Sequence, residues 1–217
     1  MVCIGPQPKH VPIFIVPYPP NPNFTGRGDI LTAIHEHLIV NPRPGFTASY
    51  ALHGLGGVGK TQIAIEYAYR HKSEFDIICW LRANDWNTLI NSYVELSRIP
   101  QLTSLGIPSP QEGQDHVDIA KQMKDWFEKE NNVRWLLIFD NADKIDQGEN
   151  TRSVVELVPS GQYGFVLATS RDRTSDAQLA SAGQSVEAMH PEEAVEFLLK
   201  CSRRQELEPA KDLVLKL

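Results

Sequence analysis

No run in the 217-residue sequence approaches the roughly 20 apolar residues that a helix needs to cross a bilayer, so no membrane span is expected. Cations are in deficit: 21 Lys and Arg stand against 27 Asp and Glu, a net charge of −6. Sequence-independent binding to nucleic acid needs cations clustered on one face, and this balance argues against it. Cysteine is scarce. Cys3, Cys79 and Cys201 form an odd, scattered set with no CxxC pair, which indicates neither a disulfide framework nor a zinc site and fits a reducing, cytoplasmic compartment. The segment Met1–Pro6 has neither the basic n-region nor the apolar h-region of a secretory signal. Seven histidines are dispersed, and His35 and His37, two apart on one helix, point to different faces, so no metal pair is expected from them. What is present is a globular composition, 41% apolar and 22% charged, with room for one ordinary domain and part of another.

Proline is unevenly spread. Seven of the fifteen fall in the first 22 residues, a density that excludes helix and central strand. Residues 1–22 therefore read as an extended, proline-rich lead-in, with order beginning near Asn23. From there helices and strands alternate. Ile30, Leu31, Ile34 and Leu38 keep helical spacing until Pro42 and Pro44. Strands are predicted at Ser49–His53, Phe75–Leu81, Trp135–Asp140, Gly164–Ser170 and, more weakly, Gln184–Met189. Their near-continuous apolar runs suit strands buried on both faces. Helices are predicted over 60–71 and 86–98, around Ile119–Phe127, and after Pro191, a residue suited to a first helical turn. Residues 100–115 read as a loop. The alternation predicts an α/β fold: a parallel sheet with helices on both faces, right-handed connections, and ligands beyond the carboxyl ends of the strands. A further apolar stripe, Ala210, Leu213, Val214 and Leu217, reads as the start of a helical domain over 206–217, so the protein is expected to continue.

Gly54-Leu55-Gly56-Gly57-Val58-Gly59-Lys60-Thr61 matches G-x-x-x-x-G-K-[ST] in full, between a predicted strand and a predicted helix. Backbone N–H groups must converge on phosphate oxygens here, so the loop must carry little bulk and tolerate positive φ. The candidate phosphate-binding set is Gly54, Gly56, Gly57, Val58, Gly59, Lys60, Thr61 and Gln62. Lys60 should reach the β- and γ-phosphates, and Thr61 should ligate Mg²⁺. The helix that follows aims its positive end at the anion. Asp140 ends the most apolar run in the chain and emerges at the carboxyl edge of the sheet, where Mg²⁺ or its water needs an acceptor. Arg171 follows the strand ending Thr169-Ser170. If that strand lies beside the first, Arg171 points at the γ-phosphate. Lys60, Asp140 and Arg171 are the candidate catalytic residues, and Thr61 and Asp140 the candidate metal ligands. Cys79 reads as a buried, inert thiol.

The ordered set of motifs resembles one family. Phe24-Thr25-Gly26-Arg27 is similar to the hydrophobic-x-Gly-Arg motif upstream of the phosphate loop in the NB-ARC branch of the STAND nucleotide-binding switches. Gly54–Thr61 resembles their Walker A motif, Leu136–Asn141 their Walker B motif, and Thr169-Ser170-Arg171 their sensor-1 strand end. Val186–Ala194 resembles the segment leading into the next helix. The resemblance covers about residues 23–205 and has the flavour of fungal and bacterial multidomain receptors. It implies a three-layer P-loop NTPase of the AAA+-related type with a five-stranded parallel sheet. It also implies ADP held at rest, ATP in an active, self-oligomerising state, an effector domain upstream, and helical or repeat domains downstream. Phe24, Thr25 and Arg27 would then lie near the adenine and ribose. A role in innate immunity or cell death comes with the resemblance alone.

One departure matters. Many members carry a second acid after the Walker B aspartate, where this sequence has Asn141. An amide cannot accept a proton, so assistance to the attacking water should be weak. Asp143 is nearby but out of register. The expected function is an adenine-nucleotide switch module with slow hydrolysis. A kinase or ATPase with robust turnover, and a scaffold with a vestigial nucleotide site, are the alternatives.

Overall fold

The computed structural model describes residues 13–42, 45–130, 132–143, 153–174 and 178–202. Six strands form one parallel sheet: β1 (Ile13–Ile15), β2 (Ala48–His53), β3 (Ile77–Arg82), β4 (Trp135–Asp140), β5 (Gly164–Ser170) and β6 (Ala182–Ser185). Their spatial order is β1-β3-β4-β5-β2-β6. The helices are α1 (Gly28–His35), which runs on into a π turn at Glu36–Val40, α2 (Lys60–Arg70), α3 (Trp86–Ser97), α4 (Pro100–Thr103), α5 (His116–Lys129) and α6 (Pro191–Ser202).

Period-two alternation along the central strands divides the interior in two. Cys79, Leu81, Leu137, Phe139 and Val166 face α3 and α5, where they meet Leu89, Tyr93, Met123 and Phe127. Leu52, Ile78, Leu136, Ile138 and Leu167 face α1 and α2, where they meet Ile30, Ile34, Ile63 and Tyr67. Full burial of each such side chain contributes roughly 1.5–3 kcal/mol, which is why the strands read as unbroken apolar runs. The helix starts on the first face are set locally. Asp85 accepts from Thr88 N–H at 2.9 Å and Asp115 from Val117 N–H at 2.8 Å, caps worth about 1 kcal/mol each.

Three expectations need correction. The sheet has six strands, not five. The extra one, β1, lies inside the segment 1–22 that reads as a lead-in, so order begins at least ten residues before Asn23. Ile13 pairs with Ile77 and Ile15 with Cys79. Among the described strands it lies at the sheet edge, with a ladder partner on one side only, which is where a segment flanked in sequence by Pro12 and Pro17 can be accommodated. The last strand ends at Ser185, four residues before Met189: Val186 N–H makes the final ladder bond, to His53 O at 2.7 Å, and β2 itself ends at His53. The loop 100–115 opens with the short helix α4, started by Pro100 at its first turn. Residues 206–217 lie outside the described residues. Among the described residues no helix is long and apolar enough to cross a membrane. Cys79 is a buried free thiol whose pKa burial pushes well up, as expected of an inert cysteine.

Candidate functional site

After β2 the chain crosses to β3 on one side of the sheet. It returns through β4 and β5, the latter paired with β2 along its whole length, and then crosses to β6 on the other side. The carboxyl ends of β2, β4 and β5 therefore lie together at the point where the winding reverses, which is where open parallel sheets bind ligands. The glycine-rich segment 54–59 leaves β2 at this point and ends at the first turn of α2.

Two of its glycines are required by the geometry. Gly54 has φ +139°, and a Cβ on it would stand 2.6 Å from Val186 O, so β6 can close against the loop only at a residue without a side chain. Gly59 is the N-cap of α2 at φ +97°, and no side chain caps the helix. Among the described residues nothing accepts from the N–H groups of Gly56, Gly57 or Gly59. Unclaimed amides at a helix N-terminus are donors for an anion, and the positive end of α2 adds to the field.

Lys60 is buried, and its Nζ donates to Gly54 O at 2.8 Å and Leu55 O at 2.7 Å, so the ammonium is held under the loop. Burial lowers its pKa, opposed by the nearby carboxylates of Asp143 and Asp140. One residue on, Thr61 Oγ1 donates to Asp140 Oδ1 at 2.9 Å. The same Oδ1 accepts from Thr169 Oγ1 on β5 at 2.7 Å. Asp140 is almost fully buried, and desolvation raises its pKa in spite of the two hydroxyls. A hydroxyl and a carboxylate 2.9 Å apart, beside unclaimed amides and a buried cation, suit a magnesium–phosphate group by donor chemistry.

Because β5 lies beside β2, Arg171 does come to the loop: a Cβ on Gly56 would be 3.7 Å from its Nε. Its guanidinium also pairs with Asp143 Oδ2 at 3.2 Å, and its N–H donates to Asp143 Oδ1 at 2.6 Å. Asp143, nearby but out of register for a second acid beside Asp140, is thus a partner of Arg171. Asn141 sits at φ +58° and turns the chain so that Asp143 swings back over the end of β5. Asparagine tolerates that region better than most residues, and Asn directly after a strand was the available signal. Thr169 was also missed as a partner of Asp140, because only strand adjacency joins them.

The upstream motif divides. Arg27 takes φ +61° at the N-cap of α1, and its Nη2 donates to Val58 O at 3.3 Å and Glu187 O at 2.8 Å. Its N–H donates to Glu193 Oε1 at 3.0 Å. Thr25 is buried and donates to Asn23 O at 2.9 Å. The Phe24 ring instead lies 5.8 Å from the guanidinium of Arg70, at the far end of α2 from the loop. Gln62 Oε1 accepts from Asn21 at 3.1 Å.

The model of the NB-ARC domain family matches residues 27–208. A nucleotide-binding leucine-rich repeat (NLR)-like protein of Hyaloscypha variabilis is 29% identical over 215 residues, which cover 91% of this chain and 21% of that protein. The chain thus spans about a fifth of that relative's length. Cdc6p of Pyrobaculum aerophilum has a similar structure, with a TM-score of 0.58 at 12% identity over 92% of this chain and 56% of its own. The STAND protein with a tetratricopeptide repeat sensor from Pyrococcus horikoshii matches with a TM-score of 0.55 at 19% identity, over 90% of this chain and 28% of its own. At these identities the two structures share the fold.

Proposed function

The chain belongs to the NB-ARC domain family, and on that ground we propose that it is a regulatory switch that holds ADP or ATP with Mg²⁺ and hydrolyses ATP slowly. Its nucleotide state would control conformation and self-oligomerisation within a longer protein, between an effector domain and helical or repeat domains. The observation that carries this reading is the convergence of Lys60, Thr61 and Asp140 beneath the unclaimed amides of the glycine loop.

In this reading the loop amides bind phosphate oxygens, and Lys60 exchanges its two carbonyl partners for β- and γ-oxygens. Thr61 and Asp140 hold the metal, which when bound neutralises phosphate charge and polarises the γ-phosphorus. Arg171, Lys60 and Asp140 form the catalytic set, and Arg171 exchanges Asp143 for the γ-phosphate. Asn141 offers no base, which supports slow turnover. Thr25 and Arg27 belong to the nucleoside end. Phe24 is assigned there with them by the family resemblance, although its ring packs beside Arg70.

Support for a switch comes from Arg27, which joins the loop carbonyl of Val58 to Glu187 and to Glu193 on α6. A loop that moves with the phosphate state would pull on the helix that leads toward the downstream chain. The length of the relative supports attached domains. The test is direct. Purified protein, denatured and assayed, should release adenine nucleotide, and Lys60→Ala should release none and bind no labelled ADP or ATP. Retained affinity in that variant would sink the reading.

A further inference from the structure

His35, His71 and Glu74 lie outside the nucleotide site, and His35 is 36 residues from His71 in sequence while Glu74 follows His71 by three. His35 closes α1, His71 caps the carboxyl end of α2, and Glu74 stands in the turn 72–74 before β3. The fold gathers them: one nitrogen of each ring and one carboxylate oxygen all lie within 4.8 Å of one another. The two imidazoles stack, with centroids 4.3 Å apart and planes 20° from parallel. His71 Nδ1 is 2.6 Å from Glu74 Oε1. His35 Nδ1 faces the same carboxylate but stands 4.0 Å from Oε2, beyond hydrogen-bond reach. Among the described residues that buried nitrogen has no hydrogen-bond partner, and the same is true of the hydroxyl of Tyr67, whose ring lies 4.5 Å from that of His71. A buried polar atom left unpaired calls for an account, and hydrogen bonding within the cluster does not supply one for His35.

We propose that His35, His71 and Glu74 form a zinc-class divalent metal site that staples the end of α1 to the end of the phosphate-loop helix. Two imidazoles and one carboxylate are a borderline nitrogen–oxygen set, the kind zinc takes with three protein ligands and an open fourth position. Ligand bonds of about 2.0–2.2 Å put tetrahedral ligand atoms about 3.3 Å apart. Binding would open the short His71–Glu74 contact and draw His35 in by side-chain rotation. Burial lowers the pKa of His35 from the ordinary imidazole value, against the opposing carboxylate of Glu74. Glu36 adds negative charge beside the cluster, and Arg134 is the cation that acts on the neighbouring Tyr67. The site would have a structural consequence at a distance. The N-caps of α1 and α2, Arg27 and Gly59, lie on the nucleotide side, and the metal would fix the opposite ends of the two helices relative to each other.

The test uses nucleotide-free protein stripped with a chelator and titrated with ZnCl₂ against a competing fluorescent indicator, with CoCl₂ as a spectroscopic probe. One equivalent of zinc should bind and raise Tm. Loss of a group behind a ligand already weakens metal binding about 10–100-fold. His35→Ala, His71→Ala and Glu74→Gln, each removing a ligand, should therefore weaken it by more than about 100-fold. His116→Ala, at the exposed start of α5, should leave it unchanged. Zinc affinity equal to wild type in His35→Ala and His71→Ala would overturn the proposal and mark binding as adventitious. Should those variants fail to fold, the wild-type cobalt spectrum decides: intense tetrahedral d–d bands support the site, and a weak octahedral spectrum overturns it.

Discussion

Asp140→Asn should stabilise the nucleotide-free protein while removing its response to Mg²⁺. Asp140 is 3% exposed, and burial raises its pKa. A carboxylate whose folded pKa exceeds its unfolded value destabilises the native state at neutral pH, and the penalty disappears as pH falls through the folded pKa to below the unfolded one. The isosteric amide keeps what holds the side chain, since its carbonyl oxygen can accept from Thr61 and Thr169 as Oδ1 does at 2.9 and 2.7 Å. Oδ2 has only a marginal contact, at 3.5 Å, with Asn141 Nδ2, so little is lost there. Relief of functional-site strain of this kind commonly contributes about 0.5–2 kcal/mol. For a chain of this size 1 kcal/mol corresponds to about 2–4 °C in Tm. Calorimetric melts of both proteins without nucleotide should show the variant higher near neutral pH, with the gap closing toward about pH 4, the ordinary carboxylate range. Titration with ATP should show Mg²⁺-dependent tightening in wild type and none in the variant. A variant that melts below wild type at neutral pH, or a gap indifferent to pH, would refute the reasoning about desolvation.

Three further outcomes are expected. Asn141→Asp restores an acid at a backbone position, φ +58°, that aspartate also tolerates. Single-turnover ATP hydrolysis should rise at least about tenfold, against the 10²–10⁴ available to a well-placed base, and an unchanged rate would put the limit elsewhere. Arg171→Ala removes a side chain that is 69% exposed and paired at 3.2 Å with Asp143. Chemical denaturation should shift by less than about 1 kcal/mol, while calorimetric affinity for ATP relative to ADP drops about tenfold or more, the worth of a charged hydrogen bond. Gly164→Ala places a Cβ 1.9 Å from the ring of Trp135, at the opposite edge of the sheet from the site. It should cost about 1–3 kcal/mol by overpacking, read as a lower urea midpoint with nucleotide affinity unaltered.

What could be read from the sequence, and what could not, follows from how each feature is made. The four central strands announce themselves because both of their faces are buried, so each is a contiguous apolar run. β1 cannot be read this way. Ile13–Ile15 is three residues beside prolines, and it is a strand only because β3 presents a free edge to it. β6 carries Ala-Gly-Gln-Ser, with no apolar signature, and owes its position to pairing with β2. The site divides on the same line. A phosphate loop is bound through consecutive backbone amides, so its whole geometry is written in one stretch, Gly54–Thr61. That Thr61 and Asp140 meet could be inferred because each is fixed at the end of a readable element. Thr169 on Asp140, Asp143 on Arg171 and Glu193 on Arg27 are separated from their partners by 29, 28 and 166 residues. Such contacts exist only once the strand order has been chosen. Spacing arguments of the kind that set His35 and His37 aside examine one helix at a time, and so pass over His71, which the packing of α2 against α1 stacks on His35. Chemistry carried by neighbouring residues in the chain is legible in advance, whereas chemistry carried by neighbouring elements waits for the fold.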